Sequence, residues 1–433
     1  MKQMKILCIS LIFFMQFGLV AQSYDTITLI DCYREAENNF PLMKQLDLYA
    51  RASNLRQKNL KTNYMPKLNI NGQLSYQSDV TTVEMNIPPN PYFSSEDISP
   101  APISKDWYKL TFDINQTIYD GGVTSSKNDL ETINLRLSQQ QVGIELYKLK
   151  ERINNIYFRI LFLQKSRHLL ELVGEEITVK LDRVRSAVRN GVLLESDADI
   201  LMAETIHVDQ QLVELSAGIT SGIKILEELT MMSIEDETVM IIPELEVSAG
   251  PRDNQRPEYK MMTLQQQRIN KLDQLTSTRR MPKLKGFGQL GYGRPGLNML
   301  SNDIEGFYIF GAALSWNVWD WSKNRKEREI LAIQHEVIST NKETFDKNLK
   351  TTLIAYSEEI RKFEKLIEKD NIIIELRKNI TTRYSSQLDN GVITSTDYLV
   401  HVNAEKQARL NREQHIIQLS QAKVNYLTAL GVL

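Results

Sequence analysis

Histidines, cysteines, carboxylates and glycine-rich turns are the groups from which a reactive or binding site could be built, and this chain places few of them at useful spacings. Its five histidines, His168, His207, His335, His401 and His415, form no HExxH or other short metal-ligand pair. Most fall on helical patterns, where a seam or surface position accounts for them. No G-x-S-x-G, no P-loop and no cysteine suited to nucleophilic attack occurs. "GFGQLG" at Gly286 to Gly291 fits the letter of a dinucleotide fingerprint, but that site needs a helix opening within the motif, and "YGRPG" follows instead. Glycines that ease a strand past large neighbours are the better reading. Carboxylates are many, yet the helical stretches carry both signs throughout, as solvated faces do. No catalytic residue, metal site or cofactor is expected, and the chain does not read as an enzyme.

Two aspartates stand apart. "NGVLLESD" runs from Asn190 to Asp197 and "NGVITSTD" from Asn390 to Asp397, nearly the same turn written twice, 200 residues apart, with Asp six residues after Gly. An acid at this place is favoured by the free N–H groups and the dipole of a helix start. If several copies surround an axis, the same aspartates would form a ring of negative charge that binds cations and gates a pore. Both readings stand on the residues alone.

The elements that must hold these turns follow from proline placement and apolar spacing. No proline occurs between Pro102 and Pro243, or after Pro295, so these spans can carry long unbroken helices. Leu146, Leu149, Ile153, Ile156, Ile160, Leu163, Leu170, Ile177, Leu181, Val184 and Val188 follow three- and four-residue steps, as do Leu201, Val208, Leu212, Leu215, Ile219, Leu226 and Leu229. That is the pattern of helices packed side by side as coiled coils. A helix from about Val123 to Arg189 would be roughly 100 Å long at 1.5 Å per residue. Asn190-Gly191 and Asn390-Gly391 end such helices with residues tolerant of positive φ, so each is expected to be the tip of an antiparallel hairpin.

Other landmarks extend the repetition. "FPLMK" at Pro41 answers "RPEYK" at Pro257, and "MPKL" at Met65 answers "MPKL" at Met281, both 216 residues apart. "IYDGG" at Asp120 and "VWDWS" at Asp320 return to a separation of 200, so 16 extra residues lie between MPKL and the Asp of the first half. They fall in the proline-rich stretch from Gln77 to Asp106. Between each MPKL and its Asp the period changes to two. Leu68, Ile70, Leu74 and Tyr76 oppose Asn69, Asn71, Gln73 and Ser75, and Tyr108, Leu110, Phe112 and Ile114 oppose Lys109, Thr111, Asp113 and Asn115. In the second half Tyr308, Phe310, Leu314 and Trp316 share a face. Four strands of about ten residues, apolar on one side, read as part of an outer-membrane barrel, although a soluble sheet covered on one face alternates alike. Four are fewer than the roughly eight of the smallest barrels, so the barrel would be shared between chains.

The start of the chain gives the compartment. Two lysines precede an apolar run from Ile6 to Val20 that ends in Ala21, a secretory signal peptide over residues 1–21 with cleavage expected before Gln22. With Cys8 removed, Cys32 is left alone, so no internal disulfide is expected. Lys+Arg 52 against Asp+Glu 54 leaves a net charge of -2, which excludes the basic excess that nucleic-acid binding needs.

Signal peptide, doubled helix-strand-loop-strand-helix-tip-helix order, "INQTIYDGG" and "LSWNVWDWS" leaving the second strand of each half, and the "NGV(x)4D" tips together resemble the TolC-like outer-membrane efflux proteins, over nearly the whole mature chain. The resemblance implies a mixed α and β fold. Long antiparallel helical hairpins would form an α-barrel, and a homotrimer would give four strands per chain to a shared 12-stranded transmembrane β-barrel. Residues 22–232 would be the first repeat, 233–254 a linker and 255–433 the second repeat. It further implies a cell outer-membrane duct of a Gram-negative bacterium with a periplasmic helical domain. Such a duct serves a tripartite efflux or type I secretion system, with a periplasmic adaptor, an inner-membrane pump and outer-membrane lipid as partners. By motif position, Asn190, Gly191, Val192, Asn390, Gly391 and Val392 match adaptor-docking tips, and Asp397, with Asp197 its counterpart, matches the periplasmic aperture. Where known members carry a second acid three residues on, this chain has Val400. An exported periplasmic coiled-coil structural or adaptor protein without a channel is the alternative, and an exported enzyme a third; neither explains a doubled unit with amphipathic strands.

Overall fold

The computed structural model describes residues 26–82, 103–247 and 254–433. The expected signal peptide and most of the proline-rich stretch lie outside the described residues.

In order, the chain forms β1 (Thr26–Ile27), α1 (Leu29–Asn39), α2 (Met43–Lys61), β2 (Lys67–Tyr76), β3 (Asp106–Tyr119), α3 (Val123–Arg189) and α4 (Glu195–Thr230). Then follow β4 (Val239–Met240), α5 (Pro257–Ser277), β5 (Lys283–Arg294), β6 (Glu305–Ser315), α6 (Lys323–Asp389) and α7 (Ser395–Leu430). Helices α3 and α6 each have 67 residues, and α4 and α7 each have 36. None is apolar enough to cross a membrane among the described residues.

Two compact units result. The first takes the described residues within Met1–Met43, Glu145–Gln255 and Leu349–Leu433; the second takes those within Lys44–Ile144 and Arg256–Asn348. In the first, the three- and four-residue apolar series becomes the seam. Leu149, Ile153, Ile160, Leu170, Ile177, Leu181 and Val184 of α3 are buried, as are Leu201, Val208, Ile219, Leu226 and Leu229 of α4. Each such side chain contributes about 1.5–3 kcal/mol by leaving water. One cluster joins this seam to α1 and to a parallel pairing of β1 with β4. There the buried Tyr157 hydroxyl lies 2.9 Å from the Ile27 carbonyl and accepts from the Ile241 N–H at 3.0 Å. A second cluster, Leu170, Val173, Ile177, Leu181, Leu201, Leu388, Tyr398 and Val402 among its members, lies near the hairpin tips.

The second unit holds a four-stranded antiparallel sheet in the order β2-β3-β5-β6. Leu68, Ile70, Leu74, Tyr76, Leu110, Tyr292, Tyr308, Phe310 and Leu314 are all exposed on one face. On the other, Asp113 accepts from Asn71 at 2.5 Å, Gln289 at 2.6 Å and Thr111 at 3.0 Å, tying three strands together. This second face is less uniformly polar than strict alternation suggests. Phe287 and Phe307 lie on it, directly across from Gly311 and Gly291, where a Cβ would come 2.6 and 2.0 Å from the rings. Aromatic rings flattened over cross-strand glycines fill space there that polar side chains would otherwise take.

The sheet meets the helices through tight corners. Asp120 accepts from the N–H groups of Gly122 at 2.9 Å and Thr124 at 2.7 Å and from the Tyr64 hydroxyl at 2.9 Å. It thereby caps α3, while Asp320 accepts from the Asn324 N–H at 2.9 Å and caps α6.

Candidate functional site

Both tips end their long helices in the same way. The Gly191 N–H donates to the Val188 carbonyl at 2.9 Å and the Val192 N–H to Ala187 at 2.9 Å; Gly391 and Val392 repeat this onto Leu388 at 3.0 Å and Gln387 at 2.9 Å. This paired closure consumes the last helical carbonyls and requires a left-handed residue, supplied by Gly191 at φ 76° and Gly391 at φ 69°. Val192, Leu194 and Val392 are exposed beside them.

The tips touch. A Cβ on Gly391 would lie 3.1 Å from Val192 Cγ1, whereas one on Gly191 would meet nothing within 4 Å. Asn190 and Asn390 occupy the positions just before these glycines, and their N–H groups each close on the carbonyl four residues back at 3.2 Å.

The two aspartates take different places. Thr394 caps α7, accepting from the Asp397 N–H at 3.3 Å, while the Asp397 carboxylate accepts from the Thr394 hydroxyl at 2.7 Å and N–H at 3.2 Å. Asp397 remains exposed. Those two Thr394 donors, and to a smaller degree nearby His401, hold its carboxyl below the usual carboxylate range. In the first half Leu194 stands where Thr394 stands and offers no oxygen. Asp197 accepts from the Leu194 N–H at 3.3 Å, and its other oxygen accepts from the Ser395 N–H of the second tip at 2.8 Å. It is 5% exposed, a clip between the two hairpins.

A neighbouring cluster carried no sequence signal beyond an ordinary helical lysine. Lys180, 4% exposed, donates to Ser385 Oγ at 2.6 Å and Asp389 Oδ1 at 2.9 Å, and lies 5.3 Å from the centre of the Tyr398 ring. Burial pushes the Tyr398 hydroxyl well above its ordinary range, helped by Glu176 and Asp389. The cluster ties α3 to α6 and α7 near the tips. Among the described residues no group of three or more His, Cys, Asp or Glu is placed to hold a metal ion.

No family model and no curated protein sequence matches this chain. Solved structures do. The channel protein CusC aligns with a TM-score of 0.67 at 11% identity, covering 93% of this chain and 91% of that one. The outer membrane protein VceC of Vibrio cholerae aligns at 0.63 with 12% identity, covering 93% and 96%. The CmeC outer membrane channel of Campylobacter jejuni aligns at 0.61 with 15% identity, covering 93% and 85%. Matched over 93% of its length, the chain shares the fold of these solved outer-membrane channel proteins.

Proposed function

We propose that the protein is the outer-membrane duct of a tripartite efflux or type I secretion system, passing cargo from a pump and adaptor across the periplasm and the outer membrane. One observation carries the reading: a four-stranded sheet with an exposed apolar face and, among the described residues, two unpaired edges runs directly into 67-residue helices. An apolar face of that breadth on a soluble protein would be covered, and open edges are a pairing hazard unless another strand closes them. Three copies would satisfy both demands, giving a 12-stranded barrel whose lipid-facing band is the exposed face. The helical hairpins would then form the periplasmic α-barrel, each chain being one unit duplicated.

In this assembly Asn190, Gly191, Val192, Asn390, Gly391 and Val392 present the surface for the adaptor. Asp397, ionised and exposed, is the candidate for the aperture ring. Asp197 would support that ring by fixing the tip that carries it. The likeness to solved outer membrane channels supports the reading through the fold. A coiled-coil structural or adaptor protein without a channel leaves the apolar sheet face unexplained.

The test is the native mass of the mature protein extracted in mild detergent, with the detergent subtracted. Three chains are expected; a monomer soluble without detergent would overturn the duct.

A further inference from the structure

The two hairpins of the sheet share one register. It runs from Lys67↔Asn115 to Tyr76↔Asp106 in the first and from Lys283↔Ser315 to Tyr292↔Gly306 in the second. Each pair of the first becomes a pair of the second on moving 216 residues along one strand and 200 along the other. Their leading strands also agree in sequence, "KLNINGQLSY" beside "KLKGFGQLGY". The contact between β3 and β5, with Phe112 opposite Leu290 and Ile114 opposite Gly288, is therefore a joint between two like hairpins. It uses the trailing strand of one and the leading strand of the other. Strand β6 is the trailing strand of the second hairpin and β2 the leading strand of the first, and among the described residues neither has a partner on its outer edge.

We propose that β6 of one copy pairs antiparallel with β2 of the next copy, in the register carried over from the β3·β5 joint. Phe310 then stands opposite Tyr76, Ala312 opposite Leu74, Leu314 opposite Gly72 and Trp316 opposite Ile70. On the other face Ala313 stands opposite Gln73, as Asp113 stands opposite Gln289 within the chain. Phe310, Leu314 and Trp316 then share the exposed face with Ile70, Leu74 and Tyr76 of the next copy, whereas a slip of one residue would turn one strand's main apolar set to the wrong side. The inference rests on the duct reading for the meeting of copies edge to edge; the register comes from the chain's own joint.

The corner beyond this joint differs from its counterpart inside the chain. Gly121 has φ 71°, and a Cβ there would come 2.6 Å from the Met281 Cβ, so the internal corner admits only glycine. The residue 200 positions on is Trp321, still left-handed at φ 55° and followed by Ser322 at φ 61°. Non-glycine residues hold such angles only where surrounding contacts enforce them. Within one chain Trp321 is 81% exposed and meets the edge of the Trp319 ring at 5.9 Å. Met65, the counterpart of Met281, is 60% exposed. The carried-over joint brings Trp321 of one copy against Met65 of the next, so the indole closes the seam that glycine closes inside the chain.

The experiment pairs cysteines across the joint in the full-length protein in isolated outer membranes. Gln73→Cys with Ala313→Cys is compared with Ser75→Cys with Ala313→Cys, two residues out of register on the same face, and with each single variant. After mild oxidation, denaturing gels should show covalent dimers and higher species for the first pair and little for the second. Cross-linking that favours the second pair would overturn the register while leaving edge-to-edge assembly standing. Absence of cross-links in both, with a monomeric native mass for the unaltered protein, would overturn the register together with the duct. Trp321→Gly relieves local strain, so it should stabilise a chain in which the indole is idle. The joint instead requires that the variant's oligomer dissociate at a lower temperature in detergent than the parent's; an unchanged or higher temperature would remove the Trp321–Met65 contact.

Discussion

Asp397 shows how a residue can be held in one charge state by its own helix start. Its capping hydrogen bonds favour the carboxylate, so its folded pKa lies below the ordinary value near ~3.9. A depressed acid contributes stability above its unfolded pKa and loses it as pH falls through the folded one. The charge therefore persists from pH 8 to about 5. In planar bilayers, block of conductance by multivalent cations is expected to be nearly constant over that range and to fall in Asp397→Ala. Block unaltered in the variant would leave Asp397 as a cap and nothing more. The neighbouring glycines make a second contrast. Gly391→Val forces a branched side chain into φ 69° and against Val192, whereas Gly191→Val meets only the backbone penalty of about 1–2 kcal/mol. Export and adaptor cross-linking should suffer more from the first; equal behaviour would show that the contact between the tips is irrelevant to docking.

At the scale of elements, close approach of α3 and α4 depends on where side chains are missing. A Cβ on Gly222 would lie 2.7 Å from Ile160 Cγ1 in the buried seam, while one on Gly143 meets nothing within 4 Å. Alanine raises helix propensity by about 0.8–1 kcal/mol at either place, and overpacking a seam costs about 1–3 kcal/mol. Gly143→Ala should thus stabilise the protein and Gly222→Ala destabilise it by roughly 1 kcal/mol, read as opposite shifts in thermal unfolding.

The long helices were legible because a seam residue recurs every three or four positions for many turns: Ile153, Ile160, Ile177 and Leu181 were foreseen and are buried. The tips were legible from Asn-Gly. The pairing of β1 with β4 was not, since two residues per strand have no period. Nor was the separation of Asp197 from Asp397. A single difference marks it, Leu194 against Thr394, and only the fold shows that the uncapped acid turns to Ser395. Trp321 was equally hidden, because nothing in its type announces a left-handed backbone.

For the molecule as a whole, the sheet's two faces set opposite rules for substitution. Leu74 lies on the exposed apolar face and Gln73, its neighbour in sequence, on the face with Asp113. In a lipid-facing band an arginine near the midplane costs about 2–4 kcal/mol, while the lumen tolerates charge. Leu74→Arg should lower the yield of folded protein in outer membranes, and Gln73→Arg should leave yield intact while altering ion preference. Equal yields would mean that the apolar face does not meet lipid.

The equal lengths of α3 and α6, and of α4 and α7, bear on how such a chain can change size. Because the two tips are clipped together through Asp197 and Ser395, lengthening one hairpin alone would pull its end out of step with the other. Growth or shrinkage of the helical part is thus a four-part event, with whole heptads entering all four helices at once so that each seam keeps its phase. Isolated insertions are confined to stretches outside that constraint. The sequence agrees: the spacing between its halves is 216 at Pro41 and Met65 and 200 from Asp120 onward, and the 16 extra residues of the first half lie between Met65 and Asp120, ahead of every long helix. In this architecture the helices act as a gauge of fixed length, and variation is pushed to their margins.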